Sequence, residues 1–308
     1  MEHKIYDTIV IGGGPAGYSA ALYAARAGLS VLVLEMLSAG GQMATTTQVD
    51  NYPGFDEGVD GYVLAEKMQK GAERFGAESV FAEVTGLRLD GRIKTVQASG
   101  GDYQGRTVIL AMGASPRTMG LPEEDALRGR GVSYCATCDG MFYRGKTIAV
   151  LGGGNSAAAD ALTLAKLCKK VYLVHRRDTL RADSVYDQPL LQAKNIEFVW
   201  NAQVTAFLHD ETITGVAYTD KVTGEKHELA VDGIFVAVGR APNTVLTEGQ
   251  LELDKFGYIV AGEDTKTGIP GVFAAGDVRT KPLRQIVTAA ADGAVASKAA
   301  EEYLAGLK

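Results

Sequence analysis

Short apolar runs alternate with Gly-rich turns and Ala-rich amphipathic stretches along most of this chain. Thr8-Ile-Val-Ile11 is too short for a helix and is bounded by Gly12, so it reads as a buried strand. Gly12-Gly-Gly-Pro-Ala-Gly17 follows, then Tyr18 to Ala27 with Ala and Leu at helical spacing, stopped by Gly28. Val31-Leu-Val-Leu34 is the next strand, and Glu35 stands at its end. Residues 38–56, rich in turn formers and small polar groups, read as an ordered loop. Residues 61–77 have a helical period, and Val80 to Ala98 alternates as strands do. Thr107 to Ala111 is a strand ending at Met112-Gly113, with Pro116 three residues on.

The pattern then recurs. Thr147 to Leu151 is a strand, Gly152-Gly-Gly-Asn-Ser-Ala157 a second Gly-rich loop, residues 158–168 a helix, and Val171 to Val174 a strand. Gly233 to Gly239 repeats Thr107 to Gly113, again with a proline, Pro242, three residues on. Weaker signals place strands near Glu197 to Trp200 and Gly215 to Thr219, with a hairpin turn at Thr223-Gly224. Val272 to Ala275 is a buried strand. A long Ala-rich helix follows Arg284-Gln285-Ile286 and runs to about Leu304.

Each repeat is strand, loop, helix, strand: the βαβ unit that binds dinucleotides. In the first, Gly12 permits the tight turn, Gly14 lets the backbone approach a pyrophosphate, and Gly17 lets helix and strand pack closely. The helix start then faces the phosphates with free N–H groups. Glu35 lies 23 residues after Gly12, where a carboxylate accepts hydrogen bonds from ribose hydroxyls. His175 lies at the same offset from Gly152, and Arg176, Arg177 and Arg181 follow. A carboxylate repels a 2′-phosphate, whereas arginines bind it through charge-assisted bonds. The first copy therefore suits FAD or NAD, and the second suits NADP. No third βαβ unit lies between them, so the second copy reads as inserted into the first. The expectation is an α/β chain of two Rossmann-like dinucleotide-binding domains. Residues 1–115 and 244–308 form the first dinucleotide-binding domain, and residues 116–243 form the inserted second one, which carries the Cys pair.

Composition narrows the class. The 308 residues are 46% hydrophobic and 22% charged, as in globular proteins. The net charge of −6 and the absence of a basic stripe speak against a nucleic-acid partner. No apolar run is long enough to span a bilayer. The N-terminus lacks the pattern of a signal peptide, and three cysteines do not make a secreted disulfide framework, so a cytoplasmic location is expected. There a disulfide is usually catalytic or redox-sensing.

Two of those cysteines carry the chemistry. Val132-Ser-Tyr-Cys-Ala-Thr-Cys-Asp-Gly140 holds Cys135 and Cys138 in a Cys-x-x-Cys pair followed by Asp139. Such a pair moves two electrons if something upstream supplies them. As half of a zinc site it lacks partners: Cys168 and His175 complete it poorly, and His3, His209 and His227 do not cluster, so no metal is expected.

Taken together, these motifs resemble the low-molecular-weight, bacterial-type NADPH-dependent thioredoxin reductases over essentially the whole chain. The resemblance implies FAD contacts at Gly12, Gly14, Pro15, Ala16, Gly17 and Glu35, in the segment Gly41, Gln42 and Asn51, and in the segment Gly276, Asp277, Arg284, Gln285 and Ile286. It implies NADPH contacts at Gly152, Gly154, Asn155, Ser156, His175, Arg176, Arg177 and Arg181. The Cys-Ala-Thr-Cys-Asp motif implies a redox disulfide between Cys135 and Cys138. Cys138 is then the thiol toward the flavin, Cys135 the attacker of the partner disulfide, and Asp139 the proton donor and acceptor. Thioredoxin as partner and a homodimer are implied by the family alone. One departure stands out: the family usually has two acids in the helix after the NADP loop, where this chain has Ala159 and Asp160.

The nicotinamide and the disulfide both belong to the inserted domain and must reach one flavin in turn, so the domains are expected to rotate between half-reactions. Same-fold relatives that use ferredoxin, a peroxidase subunit or a small dithiol are the nearest alternative, and a flavin redox sensor without turnover is another. Arg128 and Arg130 precede the motif, where a solvated loop is the plainer reading than partner docking.

Overall fold

A computed structural model describes residues 4–46 and 48–307, so Thr47 of the flavin segment and His3 lie outside the described residues. The chain forms two units. One comprises Met1–Ser115 with Ala241–Lys308, and the other Pro116–Arg240.

In the first unit β1 (Ile5–Ile11) runs into the first Gly-rich loop and α1 (Pro15–Arg26). It starts three residues earlier than its apolar core suggested, and its buried Thr8 hydroxyl is satisfied by Thr107 Oγ1 at 2.9 Å. Next come β2 (Val31–Glu35), α2 (Gly61–Glu73), β3 (Glu78–Phe81), β4 (Val84–Arg88), β5 (Lys94–Ala98) and β6 (Gly101–Leu110). The chain then crosses through β7 (Ala114–Pro116). Asp60 caps α2 by accepting from Val63 N, and the helix closes four residues before the expected end at 77, because Gly76 takes a positive φ of 96°.

The second unit opens with β8 (Val132–Ser133) and α3 (Ala136–Asp139), a single turn. The second repeat follows as β9 (Thr147–Leu151), α4 (Asn155–Ala165), β10 (Lys170–Val174), α5 (Asp187–Gln192) and β11 (Ile196–Val199). A meander of β12 (Ala202–His209), β13 (Ile213–Asp220) and β14 (Lys226–Ala230) comes next, then β15 (Gly233–Val236). The chain returns through β16 (Arg240–Pro242), which pairs with β7, and ends with β17 (Val272–Ala274) and α6 (Ile286–Ala305). Asn243 was expected to end the inserted unit. Its side chain instead donates to Met112 O at 2.8 Å and its amide to Gly113 O at 3.1 Å, which ties it to the first unit.

The two sheets share a plan. In the first, β3-β2-β1-β6 are parallel, and β6 is long because it does two jobs on one edge. Its first half pairs antiparallel with β5, and its second half, Val108 to Leu110, pairs parallel with β17. In the second, β11-β10-β9-β15-β8 are all parallel. Antiparallel strands precede the last parallel strand of each repeat: the hairpin β4-β5 comes between β3 and β6 in one unit, and the meander β12-β13-β14 between β11 and β15 in the other. The inner parallel strands, covered on both faces, are buried almost throughout, whereas the edge strands β3 and β11 are partly open.

Small residues set the helix packing in the first unit. A Cβ on Gly293 of α6 would stand 2.1 Å from Ala16 O of α1, and one on Gly276 would stand 2.9 Å from Ala16 Cβ. Alanines and glycines along α6 thus let it press onto α1 and the loop that opens it.

Candidate functional site

Gly12 sits at φ 101°, a conformation L side chains avoid, and a Cβ there would meet Ala111 O at 2.4 Å. Gly17 has ordinary dihedrals but no room: its Cβ would lie 1.8 Å from Gly12 O. These two positions press α1 onto the end of β1. Pro15 takes the first turn, no side chain caps Gly14, and no acid stands in that turn. The first N–H groups of α1 are therefore turned toward whatever occupies the loop. Such a helix start fits a pyrophosphate.

Glu35 closes the loop's other side. Its Oε2 accepts from Gly13 N at 2.6 Å and its Oε1 from Met36 N at 2.9 Å. Gly13, which the sequence reading passed over, packs its α-carbon on Glu35: a Cβ would meet Glu35 Cβ at 3.1 Å.

The structure brings the separate FAD segments of the sequence reading to this loop. Gly40 N donates to Gly13 O at 2.7 Å, and Gly41 lies against Gly14. Gln42 Nε2 donates to Ala114 O. Asn51 Nδ2 donates to Gln285 Oε1 at 3.1 Å, joining residues 234 positions apart. Gln285 also starts α6, its amide donating to Thr288 Oγ1 at 3.0 Å. Ile286 follows in the first turn and packs on the cluster around Met43 and Leu64. Asp277 is half-buried on the turn Gly276–Val278, and Arg284 Nε reaches its carbonyl oxygen at 3.4 Å.

A buried ion cluster beneath this turn had no signal in the sequence. Asp292 of α6 accepts from Gly276 N at 2.9 Å, from Arg279 Nε at 2.8 Å and from Lys281 Nζ at 2.8 Å. Arg279 is 1% and Asp292 6% exposed. Burial pushes the Asp292 carboxyl up, but these three donors prevail and hold it below the usual carboxylate range. The cluster pins the backbone of Gly276 against α1.

The second loop repeats the first with other side chains. A Cβ on Gly152 would meet Ala237 O at 2.4 Å, as Gly12 meets Ala111. Gly154 has no side-chain cap, and the first turn of α4, where Asn155 and Ser156 stand, holds no acid. Gly153 packs on His175, 2.2 Å from a would-be Cβ, as Gly13 packs on Glu35. His175 is 5% exposed, and its Nε2 has no partner. Burial, then Arg181, Arg176 and Arg177, hold its pKa below the ordinary value, so the ring is neutral at pH 7. Arg176 and Arg177 are exposed at the end of β10. Arg181 N donates to Gly153 O at 2.6 Å, and Asn155 and Asp183 bond reciprocally at 2.6 and 2.7 Å. The arginine-bearing stretch is thereby tied to the Gly-rich loop. Three arginines acting on a buried histidine that packs against the glycine loop, its Nε2 unpartnered, fit the phosphate-rich end of NADPH.

On α4, Ala159 is half-buried, and burial pushes Asp160 up to about 6 against the pull of Arg240.

Cys135 and Cys138 form a disulfide. Cys135 caps the single turn α3, with Cys138 N and Asp139 N both turned back to its carbonyl oxygen, at 3.3 and 3.1 Å. Asp139 is half-buried. Burial pushes its carboxyl up, and donation from Ser133 Oγ at 2.6 Å pulls only part of the way back. Ser133 was missing from the expected site, although it is two residues before Cys135. Cys168 is a free, buried cysteine of the core cluster, its thiol pushed up to about 11 by burial, as befits an inert core residue. Arg128 is not a bare solvated charge: it lies over the Tyr134 ring at 4.6 Å and pairs with Asp125 at 3.5 Å. Among the described residues no group of three or more His, Cys, Asp or Glu is placed to hold a metal ion, and no helix is long and apolar enough to cross a membrane.

The sequence pattern of the pyridine nucleotide-disulphide oxidoreductases matches residues 6–293. A thioredoxin reductase of Mycolicibacterium smegmatis is 47% identical over 99% of this chain and 98% of its own length. A bifunctional thioredoxin reductase/thioredoxin of Mycobacterium leprae is 48% identical over 99% of this chain and 67% of its own. The crystal structure of thioredoxin reductase from Streptococcus pyogenes superposes with a TM-score of 0.91 at 40% identity, covering 98% of this chain and 99% of that one.

Proposed function

The chain belongs to the pyridine nucleotide-disulphide oxidoreductase family, among the thioredoxin reductases, and from that premise we propose how its own residues divide the work. It is an NADPH-dependent flavoprotein oxidoreductase that reduces the disulfide of thioredoxin. NADPH and oxidised thioredoxin, with one proton, become NADP⁺ and the thioredoxin dithiol. The observation that carries this reading is the Cys135–Cys138 disulfide, set with a half-buried carboxylate, on a unit whose Gly-rich loop packs on a His175 flanked by Arg176, Arg177 and Arg181.

The loop Gly12–Gly17, Glu35, Gln42, Asn51 and the segment around Asp277 and Gln285 would hold FAD, which would supply two-electron transfer between NADPH and the disulfide. Reduced, the Cys pair becomes a dithiol. Asp139 takes the Cys135 thiol proton as the thiolate attacks one sulfur of the thioredoxin disulfide. That bond breaks and a mixed disulfide forms. Cys138 then attacks Cys135 Sγ, the Cys135–Cys138 bond re-forms, and the partner leaves with two electrons and two protons. A raised carboxyl suits this shuttling, since an acid–base group works best with a pKa near the operating pH.

The residues assigned to NADPH and the disulfide share the unit Pro116–Arg240, while those assigned to FAD belong to the other. Turning about the two crossings, that unit presents nicotinamide and disulfide to the flavin in alternation. The working enzyme is a cytoplasmic homodimer in this reading, its sparing use of cysteine being suited to a reducing compartment.

The test is an anaerobic titration of the purified holoprotein. NADPH should bleach the flavin spectrum and NADH should do so weakly, and thioredoxin with a chromogenic disulfide should then turn over. Cys138→Ser should keep the bleaching and lose the turnover. A yellow protein that neither nucleotide bleaches overturns the reading and moves ferredoxin or a small dithiol to the front.

A further inference from the structure

The hydroxyl of Ser133 touches both ends of the redox turn. β8 fixes it: Ser133 is in register with Phe235 of β15 and is 4% exposed. Its Oγ accepts from Cys135 N at 3.1 Å and stands 2.6 Å from Asp139 Oδ2. A third contact, to Cys135 O, is stretched to 3.5 Å. A hydroxyl has one proton to give, and the short contact to the carboxylate takes it, leaving a lone pair for the Cys135 amide. The result is a chain in which the Cys135 amide donates to Ser133 and Ser133 donates to Asp139.

We propose that Ser133 is a positioning residue of the thioredoxin-reducing step: its hydroxyl holds the Asp139 carboxylate ionised and aimed at the redox turn, and sets the pH at which that carboxylate can accept the Cys135 proton. This rests on the reading that Asp139 is the acid–base group. Burial without the hydroxyl pushes a carboxyl up, and the serine donation is the opposing interaction at Asp139. The surroundings offer little else. Tyr143, on the turn after α3, is the titratable side chain that senses the Asp139 charge, and its own phenol is pushed up by burial and by that charge. α4 packs on α3 and carries one titratable group, Asp160, whose charged partner is Arg240. β15, which flanks β8, carries none. Cys135 and Cys138 themselves titrate only once the disulfide is reduced.

Chemically, the chain gives the two redox states of the turn a shared scaffold. The amide of Cys135 and the carboxylate of Asp139 are tied to one oxygen that does not itself react. Removing that oxygen leaves a buried N–H without its partner and a buried carboxylate without its donor.

The experiment is the pH profile of NADPH-dependent thioredoxin reduction by the holoenzyme and by Ser133→Thr, Ser133→Cys and Ser133→Ala. In S133A the acid limb of kcat should move up by about one to two pH units, the size a single hydrogen bond to a charged group gives. The rate at a fixed pH below both limbs should fall by about tenfold per unit of that shift. KM for thioredoxin should stay at the wild-type value, because the hydroxyl is buried. S133T, which keeps the hydroxyl on a strand position that favours β-branched residues, should restore the limb, and S133C, a weaker donor, should place it between. Against an Asp139→Asn background, S133A should cost little more, since the group it serves is already gone. A profile that moves in neither S133A nor S133C, or an S133A factor undiminished in D139N, overturns the proposal. If S133A does not fold, S133C decides. Absence of thioredoxin turnover in the wild type would instead sink the functional reading itself, so the two failures are told apart.

Discussion

Gly17→Ala tests the geometry of the first loop most directly. One methyl is added and no charge changes; Gly17 does not take a positive φ, and helix propensity by itself favours alanine there by about 1 kcal/mol, so any loss comes from the close contact. The new Cβ would stand 1.8 Å from Gly12 O and 3.0 Å from Gly12 C, both backbone atoms that cannot rotate away. Restoring ordinary contact at 3.4 Å requires the start of α1 to withdraw by about 1.6 Å. Neither side yields easily. Gly12 is wedged against Ala111, and α1 is pressed by Gly293 of α6. Overpacking of this kind costs ~1–3 kcal/mol. If all of that falls on the helix start that faces the pyrophosphate, FAD binds about 5- to 150-fold more weakly. The second repeat is a built-in control. Its third small position is already Ala157, fully buried, because the chain there has settled with a Cβ in place. Ala157→Gly should leave FAD untouched and cost about 1 kcal/mol, the helix propensity of glycine. The assay is flavin released on ultrafiltration at graded protein concentration, with thermal melting followed by circular dichroism beside it. A G17A protein that holds FAD as tightly as the wild type refutes the claim that the close helix–strand approach builds this site.

Two further outcomes follow from the described contacts. Arg177→Ala, and more so Arg176→Ala with Arg177→Ala, should lower kcat/KM for NADPH by about 10- to 100-fold per lost charge-assisted bond and leave NADH nearly unaffected; equal losses for both nucleotides in steady-state kinetics would show a structural role instead. Asp292→Ala should lose about 3–5 kcal/mol in denaturant melts, because Arg279 and Lys281 are left buried without their carboxylate. The same group gives acid lability with a definite sign. Its folded pKa lies below the unfolded value near ~3.9, so its stabilisation is complete above that pH and disappears as the pH falls through the folded value. A wild-type acid transition that D292A leaves in place would refute this assignment.

Much of the architecture was legible in the chain alone. The two strand–loop–helix–strand repeats are written in local signals: apolar runs of four or five residues, glycines at fixed spacing, and small residues at helical period. These depend on neighbours within about 25 residues, where backbone sterics and periodicity speak for themselves. The contrast of Glu35 with His175 and its arginines is likewise a difference at one offset after one motif. The adjacent Cys135, Cys138 and Asp139 needed no fold to be noticed.

Contacts between distant residues were decided only by the tertiary structure. Asn51 meeting Gln285, Asn155 closing on Asp183, and Asp292 gathering Gly276, Arg279 and Lys281 all join side chains whose sequence separation says nothing about distance. The meanders were half-hidden for a related reason. Strands such as Lys226–Ala230 are exposed on most positions and carry little hydrophobic alternation, so pairing rather than pattern defines them. Ser133 is the instructive case. It lay in plain view two residues before the motif, yet a serine beside a cysteine is unremarkable until a strand register buries it and turns its hydroxyl onto Asp139. Backbone geometry is a local property of sequence. The environment of a polar side chain, and with it the pKa and the chemistry, belongs to whatever the whole fold packs around it.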